Sequence, residues 1–280
     1  MTSSHKSASL AAIATSLVFG LALAAAPASA KTGPVRNIKA EPVSYKQDTT
    51  ALEGLLVYDA SAKGKQPGIV LGPDWMGVTD LAKQYAEKAA KLGYVVLVAD
   101  IYGKNVRPKD MQEAGAVSDI YKKDRNLMQA RARAAYDQLR ATARVDTSRL
   151  AAMGYCFGGG VALELARSGA ALNGVVTFHG NLDTPHPEQA KSIKGPVLVN
   201  HGADDPFVSV DQVKAFEAEM RAGGVDWRLI QYGGAVHGFT NPYGGNDNSK
   251  GFAYNAKADN RSWQATVDFF GEIFSKPAPK

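Results

Sequence analysis

Short apolar runs alternate along the chain with longer segments in which apolar residues recur at helical spacing. Gly68–Leu71 is an apolar run between Pro67 and Gly72, which predicts a buried strand. Leu81–Leu92 has helical spacing and stops at Gly93, a residue typical of helix C-termini. Because strands and helices continue to alternate, we predict an α/β fold with a mostly parallel central sheet and helices on both faces.

The remaining predicted elements follow the same alternation. Strands are predicted at Val43–Lys46, Thr50–Tyr58, Tyr94–Ala99, Arg149–Gly154, Val175–Phe178, Val197–Asn200 and Trp227–Gln231. Helices are predicted at Gly160–Arg167, Val210–Ala222, Asn260–Phe274 and across the alanine- and arginine-rich stretch from Met111 to Thr142. No linker divides residues 31–280, so we expect a single domain. Right-handed crossovers would collect the loops after the parallel strands at one edge, where such folds hold their sites.

The first thirty residues have the pattern of a secretory signal peptide. A polar start precedes the apolar stretch Leu10–Ala26, and small residues at Ala28 and Ala30 fit a signal peptidase site, so we predict cleavage after Ala30. An uncleaved membrane anchor is the alternative, but Gly20 and Pro27 favour removal. We therefore expect a periplasmic or secreted protein that has no membrane contact once the signal is removed.

Composition narrows the class of protein. The chain has 280 residues, of which 45% are hydrophobic and 21% charged, and this excludes collagen-like, solenoid and wholly disordered proteins. Its 32 basic and 27 acidic residues are scattered, and without a basic stripe we expect no nucleic-acid partner. The single cysteine excludes an intrachain disulfide and a cysteine-rich zinc site, and we expect neither a metal nor a cofactor.

That cysteine lies in a glycine-rich turn between a predicted strand and a predicted helix. Gly154 and Gly158 flank Cys156 in the G-x-Nu-x-G pattern of a nucleophile elbow, with the helix opening near Gly158. The turn would expose the thiol and direct the backbone N–H of Phe157 toward an oxyanion. No G-x-S-x-G occurs in the chain. A buried, inert cysteine in a chance motif is the alternative, whereas the spacing does not match the dinucleotide-binding pattern G-x-G-x-x-G.

Two later loops contain an acid and a histidine that could act together with Cys156. Asp205 follows the strand Val197–Asn200, and His237 follows the last predicted strand. Nucleophile, acid and histidine in this order are typical of α/β-hydrolases. We favour Asp205 over its neighbour Asp204 because of the frame G-x-x-D-x-x-V. The other histidines considered are interpreted as surface or packing residues: His179, His186 and His201.

The chain from about Gly54 to Phe274 resembles the dienelactone hydrolase family of α/β-hydrolases. The motifs that carry the resemblance are Gly154-Tyr155-Cys156-Phe157-Gly158-Gly159, Asp205-Pro206-Phe207-Val208, His237-Gly238-Phe239, Asp100-Ile101-Tyr102-Gly103 and Asp74-Trp75-Met76-Gly77-Val78. The resemblance implies a hydrolase of carboxylic esters or lactones in which Cys156 attacks, His237 moves the proton and Asp205 orients the imidazole. It also implies an oxyanion hole built from the N–H groups of Phe157 and Trp75.

Two departures from the family pattern bear on the substrate. Asp74 stands where the family usually has a glutamate that keeps the resting thiol protonated, and its side chain is one methylene shorter. The arginine and tyrosine that grip a substrate carboxylate are absent from the matching stretch near Met111–Tyr121. We therefore expect a neutral or bulkier ester or lactone, or alternatively a member that binds a ligand or partner without catalysis. An apolar pocket is predicted from Trp75, Met76, Phe207 and Phe239.

Overall fold

The residues described by the computed structural model, 36–275, contain eight strands joined in one sheet. The strands are β1 (Ile38–Gln47), β2 (Thr50–Asp59), β3 (Gln66–Gly72), β4 (Val95–Val98), β5 (Val145–Tyr155), β6 (Gly174–Phe178), β7 (Val197–Gly202) and β8 (Trp227–Tyr232). Their order is β1-β2-β4-β3-β5-β6-β7-β8. β1 pairs antiparallel with β2, and β2 antiparallel with β4, whereas every pair from β4 onward is parallel. The predicted mostly parallel sheet is confirmed.

Helices cover both faces of this sheet. They are α1 (Asp80–Ala90), α2 (Met111–Lys123), α3 (Arg125–Ala141), α4 (Phe157–Arg167), α5 (Val210–Gly223) and α6 (Ala256–Phe274), with short 3-10 helices at Pro187–Ser192 and Asn248–Lys250. The buried side chains of α2, α3, α4 and α5 pack on one face, and those of α1 and α6 pack on the other. The sheet is therefore enclosed between two helical layers, as in the α/β-hydrolase fold.

Alternate residues of the central strands supply the two hydrophobic layers. In β4, Val95 and Leu97 join the core under α3 and α4, whereas Val96 and Val98 join the core under α1 and α6. All four are buried, which explains why the strand is a continuous run of apolar residues. Each such side chain contributes about 1.5–3 kcal/mol through burial, which makes these strands the rigid support for the loops at their carboxyl ends.

Side-chain caps explain where the structure departs from the predicted element boundaries. The polar stretch Met111–Thr142 is two helices, because the Asp124 side chain accepts a hydrogen bond from Leu127 N at 2.9 Å and starts α3. The last helix begins at Ala256 instead of Asn260, because Asn255 caps it. Apolar periodicity locates such helices but not the polar residue that begins them.

The predicted signal peptide and its cleavage after Ala30 lie outside the described residues, and the single-domain boundaries 31–280 stay a prediction. Among residues 36–275, no helix combines the length and hydrophobicity needed to cross a bilayer.

The first turn of α4 lies directly against β3. A Cβ atom at Gly158 would lie 2.0 Å from the carbonyl oxygen of Gly72, and one at Gly154 would lie 1.9 Å from the carbonyl oxygen of Gly158. Distances this short exclude any side chain at these positions, because the obstructing atoms belong to the backbone. The two glycines that flank Cys156 thus allow the helix to start immediately above the sheet.

We predict that Gly158→Ala lowers the free energy of unfolding by about 3 kcal/mol or more, because the methyl group displaces α4 from β3. Gly271→Ala is the matched control. It lies within α6 with open space around it and should raise stability by about 0.5–1 kcal/mol. Urea unfolding followed by circular dichroism measures both, and equal stability of the two variants would contradict the close-packing argument.

Candidate active site

Cys156 lies in the sharp turn between the end of β5 and the start of α4. Its backbone has φ 54° and ψ −123°, a conformation that costs a non-glycine residue about 1–3 kcal/mol. The turn is held by hydrogen bonds from Cys156 N to Phe178 O at 3.0 Å and from Gly159 N to Cys156 O at 2.9 Å. The predicted strand-to-helix turn is present, with the helix starting at Phe157. The side chain of Cys156 is only partly buried.

The structure brings the three residues of the predicted catalytic order into one line of hydrogen bonds. His237 Nε2 lies 3.0 Å from Cys156 Sγ, and His237 Nδ1 lies 2.8 Å from Asp205 Oδ2. The second oxygen of Asp205 accepts a hydrogen bond from Phe207 N at 2.8 Å. Both ring nitrogens of His237 are therefore engaged, and the Asp205 carboxylate is fixed from two sides.

The neighbouring carboxylate of Asp204 is directed elsewhere. Asp204 is exposed, and its Oδ2 accepts a hydrogen bond from Gly234 N at 3.0 Å. Asp205 is buried and is the acid that reaches the histidine. The geometry agrees with the preference for Asp205.

The contacts of His237 favour its charged form. Burial by itself lowers the pKa of this ring, but the adjacent Cys156 and Asp205 outweigh burial and raise the pKa from 6.5 to about 10. The ring thus carries a proton at neutral pH and loses it as the pH rises through about 10. A charged imidazole beside sulfur stabilises the thiolate, which is the nucleophilic form of cysteine.

A cavity of about 270 Å³ opens next to the thiol. Its lining residues are Asp74, Trp75, Met76, Thr79, Leu81, Tyr85, Tyr155, Cys156, His179, Gly238, Asn241 and Phe252. The lining is mainly apolar and includes no lysine or arginine. Trp75 and Met76 lie where the pocket prediction expects them.

The other two predicted pocket residues lie elsewhere. Phe207 is exposed at the rim, with its ring edge-on to His237 at 5.5 Å. Phe239 was expected in the pocket but has no exposed surface, and it packs against Tyr232 and edge-on to His179. Gly238 turns the chain with φ 69°, so Phe239 enters the core instead of the cavity, and its assignment to the pocket is wrong.

Asp74 shares the cavity with the thiol without a hydrogen bond between them among the described contacts. Its Oδ1 accepts a hydrogen bond from Met76 N at 2.9 Å. Burial raises the pKa of the Asp74 carboxyl, and the bond from Met76 partly offsets this effect. A role in holding the resting thiol stays a prediction.

The two predicted oxyanion donors belong to segments that pack together. Tyr102 donates its hydroxyl hydrogen to Trp75 O at 2.9 Å, and its ring lies 5.7 Å from that of Phe157. Within residues 36–275, neither the backbone N–H of Trp75 nor that of Phe157 donates a hydrogen bond. Their role as donors to a developing oxyanion stays a prediction.

His179, interpreted from the sequence as a surface or packing residue, is a packed residue that also lines the cavity, a position that the sequence reasoning did not assign to it. It is buried directly after β6, lines the cavity and lies 5.1 Å from the His237 ring. Its position after the strand next to the elbow strand is the signal that could have identified it. Within residues 36–275, no cluster of three or more His, Cys, Asp or Glu side chains is arranged to hold a metal ion.

The sheet order, the elbow after β5 and the polar residues after β7 and β8 define an α/β-hydrolase. The model of the dienelactone hydrolase family matches residues 52–274. The chain therefore belongs to the dienelactone hydrolase family and is a hydrolase.

Three related proteins support this assignment. The solved structure "m3DLH" is 42% identical, with a TM-score of 0.81 over 85% of this chain and 99% of that one. The dienelactone hydrolase-like promiscuous phosphotriesterase P91 from metagenomic libraries is 40% identical, with a TM-score of 0.80 and the same coverage of both chains. The carboxymethylenebutenolidase of a Pseudomonas species is 29% identical over 169 residues, which are 56% of this chain and 69% of that protein.

We predict that the His237 ring is still protonated at pH 8 and that Cys156→Ala moves its titration to lower pH. The physical reason is that the adjacent Cys156 raises the pKa of the ring, so removing the sulfur removes this effect. Nitrogen NMR of ¹⁵N-histidine-labelled protein measures the titration of each ring. His179 is the internal reference, because burial lowers its pKa well below 6.5 and keeps it neutral. A His237 midpoint that is the same in both proteins would exclude charge coupling to the sulfur.

Proposed function

We propose that this protein hydrolyses carboxylic esters or lactones through a cysteine nucleophile and a thioacyl-enzyme intermediate. The observation that carries the proposal is the continuous line of contacts from Cys156 Sγ through His237 to Asp205, at 3.0 and 2.8 Å. A nucleophile, a base and a group that orients the base are the parts that covalent acyl transfer requires. Membership of the dienelactone hydrolase family supports this reaction class.

The acylation step begins with the thiolate of Cys156. Its sulfur forms a bond to the substrate carbonyl carbon, and the carbonyl electrons move to the oxygen, where the N–H groups of Trp75 and Phe157 stabilise the charge. Collapse of this intermediate breaks the C–O bond to the alcohol. The departing oxygen takes its proton from His237, whose charge Asp205 balances. In a lactone the alcohol remains attached to the acyl group.

Deacylation uses the same groups in the reverse roles. His237 removes a proton from water, and the hydroxide oxygen bonds to the thioester carbon. The C–S bond then breaks, and the carboxylic acid leaves while the sulfur regains its pairing with the imidazolium. No step requires a metal or an organic cofactor.

The cavity favours a neutral substrate. Lysine and arginine are absent from its lining, and the one carboxyl group in that lining is that of Asp74. Among the described residues, the one cation at the thiol, His237, is already engaged by Asp205 and Cys156, so a substrate carboxylate would enter this mainly apolar cavity without an unpaired cation to balance it. The apolar walls suit an uncharged acyl group, and the exposed ring of Phe207 lies edge-on to His237 outside this lining.

We also propose that the reaction takes place in the periplasm or outside the cell. Support comes from the apolar segment Leu10–Ala26 and the small residues before Lys31. A free thiol there is exposed to oxidants, and the partly buried position of Cys156 reduces this exposure.

A neutral phosphotriester is a second candidate substrate class. One solved structure with 40% identity is described as a promiscuous phosphotriesterase. A phosphotriester is uncharged, so like a neutral ester it can enter the apolar cavity without a cation to balance it. The sulfur would attack phosphorus, expel one alcohol or phenol, and be released by water in a second step.

We predict that Cys156→Ala lowers turnover of p-nitrophenyl acetate at least about a thousand-fold, because the covalent route is lost. Release of p-nitrophenolate measures turnover, and diethyl p-nitrophenyl phosphate is assayed in parallel for the second candidate. Phe207→Leu is the matched control at the rim, which should change KM more than kcat.

Undiminished turnover by Cys156→Ala would reject the cysteine nucleophile. No turnover of any ester or lactone by the unmodified protein, together with ligand binding, would favour a non-catalytic member.

We predict that a cation introduced into the cavity changes the preference for substrate charge. The unmodified protein should hydrolyse a neutral lactone at least about ten-fold more efficiently than a matched lactone that carries a carboxylate. Met76→Arg should raise the relative kcat/KM for the carboxylate-bearing lactone, whereas Met76→Leu should leave the ratio unchanged. An equal ratio in the two variants would contradict the electrostatic explanation.

A further inference from the structure

His179 occupies a strained position at the edge of the sheet. Its backbone has a positive φ of 40°, which non-glycine residues rarely adopt. The residue after it, Gly180, passes so close to the elbow that a Cβ atom on Gly159 would lie 2.7 Å from the Cα of Gly180. His179 N donates a hydrogen bond to Asn200 O at 2.8 Å. The neighbouring strands and the elbow therefore determine where this side chain can go.

The His179 ring is held by a short chain of buried hydroxyl groups. His179 Nε2 lies 2.8 Å from Thr240 Oγ1, and Thr240 Oγ1 lies 3.1 Å from the hydroxyl oxygen of Tyr85. All three residues are buried. The other ring nitrogen of His179, Nδ1, has no hydrogen-bond partner among the described residues. The Thr240 hydroxyl is thus the one hydrogen bond of this imidazole within that part of the chain.

Thr240 belongs to the loop that carries His237. The loop turns at Gly238 and is closed by a hydrogen bond from Asn241 N to Gly238 O at 2.8 Å. On the other side, the His179 ring meets His237 at 5.1 Å with an interplanar angle of 63°. His179 consequently contacts the same loop at three points: the hydroxyl of Thr240, the ring of His237 and the ring of Phe239.

We infer that His179 and Thr240 form a positioning pair that fixes the His237 loop against the end of β6 and keeps the imidazole aligned with the thiol. This inference rests on the proposed function, in which His237 transfers the proton. The alignment matters because a shift of the base by about 1 Å can cost about a hundred-fold in rate. Groups that orient a reacting residue through a hydrogen bond act in this way without touching the substrate.

The properties of His179 suit a neutral positioning group. Burial lowers its pKa well below 6.5, and the nearby His237 lowers it further. The ring therefore stays uncharged next to an imidazolium and adds no like charge to the site. Phe239, which belongs to the same loop, packs edge-on to the ring at 5.0 Å. A purely apolar residue could fill the volume but could not bond the Thr240 hydroxyl.

A pair of variants at Thr240 separates positioning from packing. Thr240→Val keeps the shape and removes the hydroxyl, whereas Thr240→Ser keeps the hydroxyl and removes a methyl group. With p-nitrophenyl acetate, we expect Thr240→Val to lower kcat about ten-fold or more and to change KM less than about two-fold. Thr240→Ser should restore kcat to within about two-fold of the unmodified protein. Equal losses in the two variants, or none in Thr240→Val, would overturn the inference.

Alkylation of Cys156 by iodoacetamide gives a second readout that needs no substrate turnover. If the imidazole loses its alignment, it accepts the thiol proton less readily, so Thr240→Val should react several-fold more slowly than Thr240→Ser. The same reagent reports the Cys156–His237 contact even if Cys156→Ala retains ester turnover. Failure of the proposed function is therefore distinguishable from failure of the positioning role.

His179→Phe tests the inference if Thr240→Val does not fold. It keeps an aromatic ring and removes the acceptor and donor nitrogens. We expect it to lower kcat as Thr240→Val does. Where both single variants fold, kcat of the double variant should be no lower than that of either single variant, because the two residues act as a unit. Full additivity of the two losses, or normal kcat in His179→Phe, would show that the pair does not position His237.

Discussion

The hydrogen bond between Cys156 Sγ and His237 Nε2 is the contact on which the proposed chemistry depends. Without it, the thiol of a free cysteine has an ordinary pKa near 8.5 and is mostly unreactive at neutral pH. With it, the imidazole lies where it can exchange a proton with the sulfur, which the proposed nucleophile requires. The two residues are 81 positions apart in sequence, so the bond exists only because the sheet places their loops together.

The sheet achieves this through its parallel strands and the elbow glycines. β5, β6, β7 and β8 run side by side, and the loop after each one opens at the same edge. Gly154 and Gly158 let α4 start immediately above the strands, which forces Cys156 into its positive φ and directs its thiol outward. Packing in the two apolar layers offsets the free-energy cost of that conformation.

The sequence predicted those features that depend on local pattern and on topology. The elbow glycines, the order of Cys156, Asp205 and His237, and the alternation of strands and helices follow from such patterns. Phe239 could not be assigned correctly, because whether a residue after a turn faces the cavity or the core depends on the φ of Gly238. Asn255 and Asp124 begin helices through side-chain caps that apolar spacing does not report. His179 was missed because its role depends on a threonine 61 positions away.

The charged groups of the candidate active site are concentrated at His237 and Asp205. Around the thiol, His179 is neutral because burial lowers its pKa, and burial raises the pKa of Asp74, which favours its protonated form. The lining contains no lysine or arginine, so the imidazolium of His237, with its partner Asp205, supplies the charge next to the thiol. In a largely apolar cavity, a hydrogen bond to a developing oxyanion is stronger than in water. The apolar environment that strengthens this hydrogen bond also makes the transfer of a charged substrate from water into the cavity unfavourable. The cavity that favours catalysis is therefore also the feature that selects a neutral substrate.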